Sequence, residues 1–150
     1  MTFQSGSPFT ILNGADPARV LLGSLVGNAI RPNIAAGAPN VSGMTLADIL
    51  AAGGATLWTA LPANGSIPTG NSPRNYVRGD GLVSIDTNVG KTIKIVEGHQ
   101  LAFRADFFNM PNTRNFGIPN AAINSGTAFL NEKTTDGGNR RIFLSLSYKF

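Results

Sequence analysis

The residue types that do chemistry are few and scattered in this chain. Histidine occurs once, at His99. A nucleophilic triad needs a histidine beside a nucleophile and a carboxylate, and no G-x-S-x-G elbow is present. One histidine without cysteine cannot fill a metal site, and no acidic cluster surrounds it. Asp86, Asn88, Gly90, Thr92 and Glu97 approach the spacing of a calcium loop. Lys91, however, stands where the sharp turn needs glycine, and Lys94 replaces a ligand. Arg104 and Asp106 would lie on one face of a strand, about 7 Å apart along it. They suit an ion pair lining a pore, or a group on a substrate path. These residues predict no catalytic centre, no metal site and no cofactor.

Composition narrows the classes further. Of 150 residues, 12 are Lys or Arg and 8 are Asp or Glu, and 13% are charged. Ordinary soluble domains carry about 25%. The chain is 42% hydrophobic, with 18 Gly and 9 Pro. It is too rich in Gly and Pro for a helical bundle and too apolar for a disordered chain. With no Cys, it has no disulfide scaffold. The net charge of +4 is spread out. Its densest cluster, Arg140-Arg141, is too small for a nucleic-acid stripe, so no nucleic-acid partner is expected. No run reaches the roughly 18 apolar residues of a spanning helix. Met1-Thr2-Phe3-Gln4-Ser5 has neither the basic start nor the apolar core of a signal peptide. These features suit a cytosolic protein or a piece of something longer.

The elements that position these residues are strands. From Ile142 to Phe150 every even position is apolar, while Ser145, Ser147 and Lys149 take the other face. That predicts a strand over 140–150. A second covers 99–109, with Leu101, Phe103, Ala105 and Phe107 on one face and Arg104 and Asp106 on the other. A third covers 82–95, its apolar side interrupted by Thr87 and Lys91. Val96-Glu97-Gly98 should join the last two as a hairpin. A weaker strand covers 2–12, demoted by Pro8. Long connections, 13–81 and 110–139, read mostly as turns, among them Asn13-Gly14, Asn64-Gly65 and Gly137-Gly138. One short helix stands out: Thr45 can cap it, Asp48 follows three residues on, Leu46, Ile49 and Leu50 share a face, and Gly53-Gly54 ends it.

Four strands of about ten residues, each dry on one side, fit a soluble sandwich or a transmembrane barrel. Several stretches resemble the large TonB-dependent receptors of bacterial outer membranes, particularly the Oar-like group with a carboxypeptidase-regulatory-like domain. They are Gln4-Ser5-Gly6-Ser7-Pro8-Phe9-Thr10, Asn75-Tyr76-Val77-Arg78-Gly79-Asp80-Gly81, and Arg104-Ala105-Asp106-Phe107-Phe108-Asn109-Met110-Pro111-Asn112, continued by Asn115-Phe116-Gly117-Ile118-Pro119-Asn120. The terminal Tyr148-Lys149-Phe150 resembles the last strand of such barrels.

The resemblance implies an all-β fold: an antiparallel four-stranded segment of a transmembrane outer-membrane β-barrel, with long extracellular loops and one short loop helix. It implies transport or surface binding of a nutrient at the bacterial outer membrane. Leu101, Phe103, Phe107, Ile142, Leu144 and Leu146 would face lipid. Arg104, Asp106, Ser145 and Ser147 would face the lumen. Tyr148 and Phe150 would form the C-terminal signature read by the barrel-assembly machinery. Other implied partners are the remainder of the barrel, a plug domain, outer-membrane lipid, and an inner-membrane energy complex reached through a missing N-terminal part. The connections 13–81 and 110–139 would lie outside the cell and 96–98 in the periplasm. Two other readings stand beside it: a four-strand subunit of a self-assembling barrel, and a soluble β-rich binding module.

Overall fold

Alternation over 87–108 and 141–149 builds the longest elements of the chain. The structure, a computed structural model, describes residues 1–16, 30–62, 69–132 and 138–150. The turn expected at Asn64-Gly65 and the first residue of Gly137-Gly138 lie outside them. The described residues fall into two units. One comprises 1–4, 82–115 and 138–150; the other comprises 5–16, 30–62, 69–81 and 116–132.

The first unit holds two sheets. Strands β1 (Thr2–Gln4), β6 (Leu82–Ser84), β7 (Thr87–Val96), β8 (His99–Phe108) and β9 (Arg141–Lys149) belong to it. β7, β8 and β9 form an antiparallel sheet in that order, and β1 pairs antiparallel with β6. The β7–β8 hairpin turns through Glu97-Gly98, with Gly98 at φ 83°. A side chain rarely adopts that conformation, which explains the glycine.

Two expected strands differ from those observed. The strand expected over 82–95 is broken into β6 and β7. At the break the Asp86 carboxylate accepts hydrogen bonds from the Asn109 N–H at 2.8 Å and from the Ser84 hydroxyl at 3.2 Å. A side chain there takes over bonding that a ladder would otherwise supply. The strand expected over 2–12 is present as Thr2–Gln4 in the sheet and as β2 (Pro8–Phe9) in the other unit. A Cβ on Gly6 would lie 1.7 Å from the Gly79 carbonyl oxygen, a close backbone approach that a regular strand would not make.

The second unit is built from what read as loops. Its strands are short: β2 pairs with β5 (Val77–Arg78), and β3 (Asn33–Ile34) pairs with β4 (Trp58–Thr59). Helix α1 (Leu46–Ala51) forms where the capping pattern placed it. Thr45 Oγ1 accepts from the Asp48 N–H at 3.1 Å, and Asp48 reaches back to the Thr45 N–H at 3.2 Å. Leu46 and Ile49 are buried, whereas Leu50, expected on the same face, is exposed. A 3₁₀ turn, Gly54–Leu57, follows. Phe9, Ile11, Val41, Leu57, Trp58, Val77, Phe129 and Leu130 close a shared core with the helix. Residues 13–81 and 110–139 are therefore not mere connections: much of both contributes to one hydrophobic core. Short irregular segments bury apolar area as effectively as regular ones, because the gain depends on area, not geometry.

Two carboxylates of this second unit give it a pH signature. Burial pushes the Glu132 carboxyl above its ordinary value near 4.5, and the neighbouring Asp80 charge pushes the same way, against one hydrogen bond from the Asp80 backbone. One Glu132 carboxylate oxygen is out of solvent without a donor. A raised folded-state value means that the folded form holds the extra proton. Stability is then greatest below about 4.5 and falls as pH rises through the raised value. Asp48 has the opposite sign, held below 3.8 by the Thr45 hydroxyl and then by the Thr45 N–H. Its contribution is present above that value and is lost on further acidification. The parent chain's thermal midpoint should therefore fall between pH 4.5 and 8, and Glu132→Gln should lose that downward slope. An unchanged slope would assign it to another group.

Candidate functional site: a two-faced sheet

The register fixes which side chains share a face. Leu101 lies opposite Tyr148 and Ile93, Phe103 opposite Leu146 and Lys91, Ala105 opposite Leu144 and Val89, and Phe107 opposite Ile142 and Thr87. Directly opposite residues point to the same side of a sheet. All six side chains expected to face lipid therefore stand on one face, continued by Tyr148. Most are open to the surroundings: Leu144 is 68% exposed and Leu146 69%. Ala105 alone on this face is buried, a small residue on the central strand shaded by its larger neighbours. A contiguous exposed apolar face of this kind marks an interaction with lipid or protein. Lys91 interrupts it, as its place in the alternation required.

The opposite face carries Arg104, Asp106, Ser145 and Ser147, so the structure also brings these four together. Arg104 grips Asp106 in a two-pronged pair: Nε donates to both carboxylate oxygens at 2.9 Å and the guanidinium adds a 2.7 Å bond. Phe108 falls on this face too, opposite Arg141. Its ring meets Phe143 edge-on at 5.8 Å, and the Arg141 guanidinium lies 5.9 Å over it. Phe107 and Phe108, adjacent in sequence, thus serve different faces.

Both ends of the sheet are aromatic. At the hairpin end His99 and Tyr148 stack at 5.8 Å and share a 2.6 Å hydrogen bond, and Phe150 lies 6.0 Å from Tyr148. His99 thus has a partner in Tyr148. Nine residues of β9 rise about 27 Å along the strand, or roughly 21 Å at a 40° tilt. Outer-membrane barrels show an apolar band about 25 Å tall between aromatic girdles.

The strand ends opposite the hairpin are tied by asparagines that sequence reasoning did not single out. Asn109 is buried at φ 49°. Its side chain donates to the Thr113 and Gly138 carbonyls and accepts from the Thr113 N–H, all at 3.0–3.1 Å. Asn112 accepts from the Arg140 N–H at 3.1 Å. Asn115, buried, spans Val83: it accepts from its N–H at 2.8 Å and donates to its C=O at 3.0 Å. The available signal was the run of asparagines around Pro111, residues that bond their own backbone and tolerate positive φ.

This architecture agrees with what the chain resembles. No curated protein and no solved structure matches it. A family described as an outer membrane beta barrel domain matches residues 1–143, nearly the whole chain, ending within β9 after Phe143. Strands dry on one face, aromatic ends and this match agree, and the chain belongs to the outer membrane β-barrel domain family, whose place is the outer membrane of bacteria.

Proposed function

We propose that the chain is the C-terminal segment of a larger TonB-dependent receptor-like barrel of the Oar-like kind, for uptake or surface binding of a nutrient. The observation that carries this reading is the antiparallel sheet whose two outer strands, β7 and β9, have open edges among the described residues. Lipid offers no partners for such edges, so further strands must cover them. Asn115 takes both the N–H and the C=O of Val83, so the directly opposed pair Phe3–Val83 exchanges no backbone hydrogen bonds and those groups point away from β1. β1 therefore lies on the strand edge not taken by the 109–115 segment. A strand extending its ladder backwards would cover β7.

The same geometry weighs against the self-assembling alternative. β7 and β9 both run antiparallel to β8, hence parallel to each other. Joining β9 of one copy to β7 of the next would make a parallel pair, whereas outer-membrane barrels are antiparallel. Only a full-length fourth strand would restore the alternation, and β1 supplies three residues. In this reading the apolar face meets lipid, and Arg104, Asp106, Ser145 and Ser147 face the lumen. The connections 13–81 and 110–139 lie outside the cell, and a plug and inner-membrane energy complex act through the N-terminal part.

The test is the mass and content of the native outer-membrane product. A polypeptide far heavier than 15.7 kDa, carrying plug peptides, is expected. A 15.7 kDa product in a heat-sensitive ring would overturn the receptor reading in favour of the oligomer.

The barrel-assembly machinery is a further expected partner, since an exposed terminal strand can add to another sheet edge. Phe150 is 88% exposed and contributes little packing of its own. Deleting it from the full-length protein should slow assembly sharply while leaving the finished barrel's denaturation midpoint within about 1 kcal/mol of the parent. Equal assembly rates would leave Phe150 as a boundary anchor only.

A further inference from the structure

We propose that the unit built from 5–81 and 116–134 binds a small apolar ring bearing one hydrogen-bond acceptor, in the cavity beside Trp58 and Tyr76. The proposal concerns this unit alone and does not depend on the transporter reading.

The cavity measures about 250 Å³ and is lined chiefly by Ile34, Ala38, Val41, Leu57, Trp58 and Tyr76. Its floor is held from several directions. Ile34 pairs with Trp58 across the β3–β4 ladder, and the Ala35 N–H donates to the Leu57 carbonyl at 3.0 Å. The Trp58 indole meets Phe129 edge-on at 5.7 Å. A hollow with so fixed a floor cannot close by side-chain collapse. Most of the wall is apolar, with Asn40 and Tyr76 the polar exceptions, so water filling it would leave most of its hydrogen bonds to other water. An apolar ring would instead recover dispersion contacts that the walls otherwise forgo.

Asn40 and Tyr76 are the polar side chains of the lining, the Asn40 carbonyl oxygen being engaged by the Ser42 N–H, and Tyr76 gives the ligand an orientation. The Tyr76 hydroxyl accepts from the Trp58 indole N–H at 2.6 Å and, more weakly, from the Ser72 hydroxyl at 3.5 Å. Its own proton has within reach only the Ser72 hydroxyl oxygen, at the same long 3.5 Å, so a ligand oxygen at ordinary hydrogen-bond distance would be the better acceptor. A phenol whose oxygen is already engaged donates more strongly. The complementary ligand therefore carries an acceptor, a carbonyl or ether oxygen, at the edge of a ring. No charged side chain lines the cavity, so a formal charge on the ligand would be left unpaired.

Trp58 is the only tryptophan of the 150 residues, so its emission reports the site directly. The 150-residue chain in detergent micelles is titrated with acetophenone and with α-methylstyrene, the same shape with CH₂ in place of the carbonyl oxygen. Micelles with a Trp58→Phe chain give the background. The expected result is a saturable change for both probes, with acetophenone about tenfold tighter, the worth of one retained hydrogen bond. Tyr76→Phe should bring the two probes within about twofold of each other. Ala38→Phe, filling the cavity from its rim, should abolish saturation for both. Emission changes that rise linearly with probe, or that match the background, overturn the proposal. So does a preference for acetophenone that survives Tyr76→Phe. If Tyr76→Phe unfolds the unit, Ala38→Phe decides: saturable binding with the cavity filled overturns the proposal, and its loss sustains it.

Discussion

Arginine at Leu144 should destabilise the assembled barrel in lipid by about 2–4 kcal/mol, a loss of roughly thirty- to a thousandfold in the folding equilibrium. Leu144 stands one residue from the centre of β9, on the apolar face, opposite Ala105. A guanidinium there must leave water or climb to a boundary. Arginine at Ser145, the next residue, should change stability by less than about 1 kcal/mol, because that face carries Arg104, Asp106 and Ser147. Phe103→Arg, on the apolar face of β8, should behave like Leu144→Arg. Lys91 supplies the inverse case. It lies on the apolar face opposite Phe103, so Lys91→Leu should stabilise the barrel. The gain should be smaller than the Leu144→Arg loss, since the lysine stem can carry its charge toward a boundary. Reversible denaturation from lipid vesicles, using the full-length protein, reads all four. Equal losses at Leu144 and Ser145 would mean that neither face meets lipid, and the soluble binding-module reading would return.

Asn109→Ala should cost about 2–4 kcal/mol, although it alters no apolar contact of the sheet. Its amide makes three hydrogen bonds, to the Thr113 N–H, the Thr113 carbonyl and the Gly138 carbonyl. Truncation unties those backbone groups, on half-buried Thr113 and exposed Gly138, and opens a hollow at the buried Asn109 position. It also puts alanine at φ 49°, a conformation asparagine tolerates better. Asn109→Asp separates the two causes: it keeps the acceptor and loses the donor, so it should retain the Thr113 N–H bond alone. A graded series, parent above Asp above Ala in denaturation midpoint, is expected. If Ala and Asp both match the parent, the residue is not the tie that its contacts describe. Hydrogen exchange at Thr113 gives an independent reading, since its N–H loses the Asn109 acceptor in the Ala variant.

How much was legible in the sequence depended on how far each element owes its form to neighbours along the chain. Period-two alternation is a local property. It set which residues of 99–109 and 140–150 share a face, and the β8–β9 register groups them the same way. The capping pattern Thr45…Asp48 is local too, and the helix begins where that pattern placed it. The hairpin at 96–98 needed only a glycine at the turn. Membership of the outer membrane barrel family rests on those local patterns and on the ordered motifs.

What the tertiary structure decided was the fate of the rest. No periodicity in 13–81 or 116–132 announces that Phe9, Val41, Trp58, Val77 and Phe129 meet in one core, because those contacts join residues as much as 120 positions apart. The division of 2–12 into a barrel piece and a piece of the second unit follows from one backbone approach, Gly6 to Gly79, that alternation cannot reveal. The break at 85–86 depends on Asp86 meeting Asn109, 23 residues away. The cavity beside Trp58 exists because Tyr76, from a separate strand-bearing segment, reaches the indole N–H. Alternation and caps are written residue by residue. Hydrogen bonds and apolar contacts between remote segments are chosen by burial, which only the folded chain expresses.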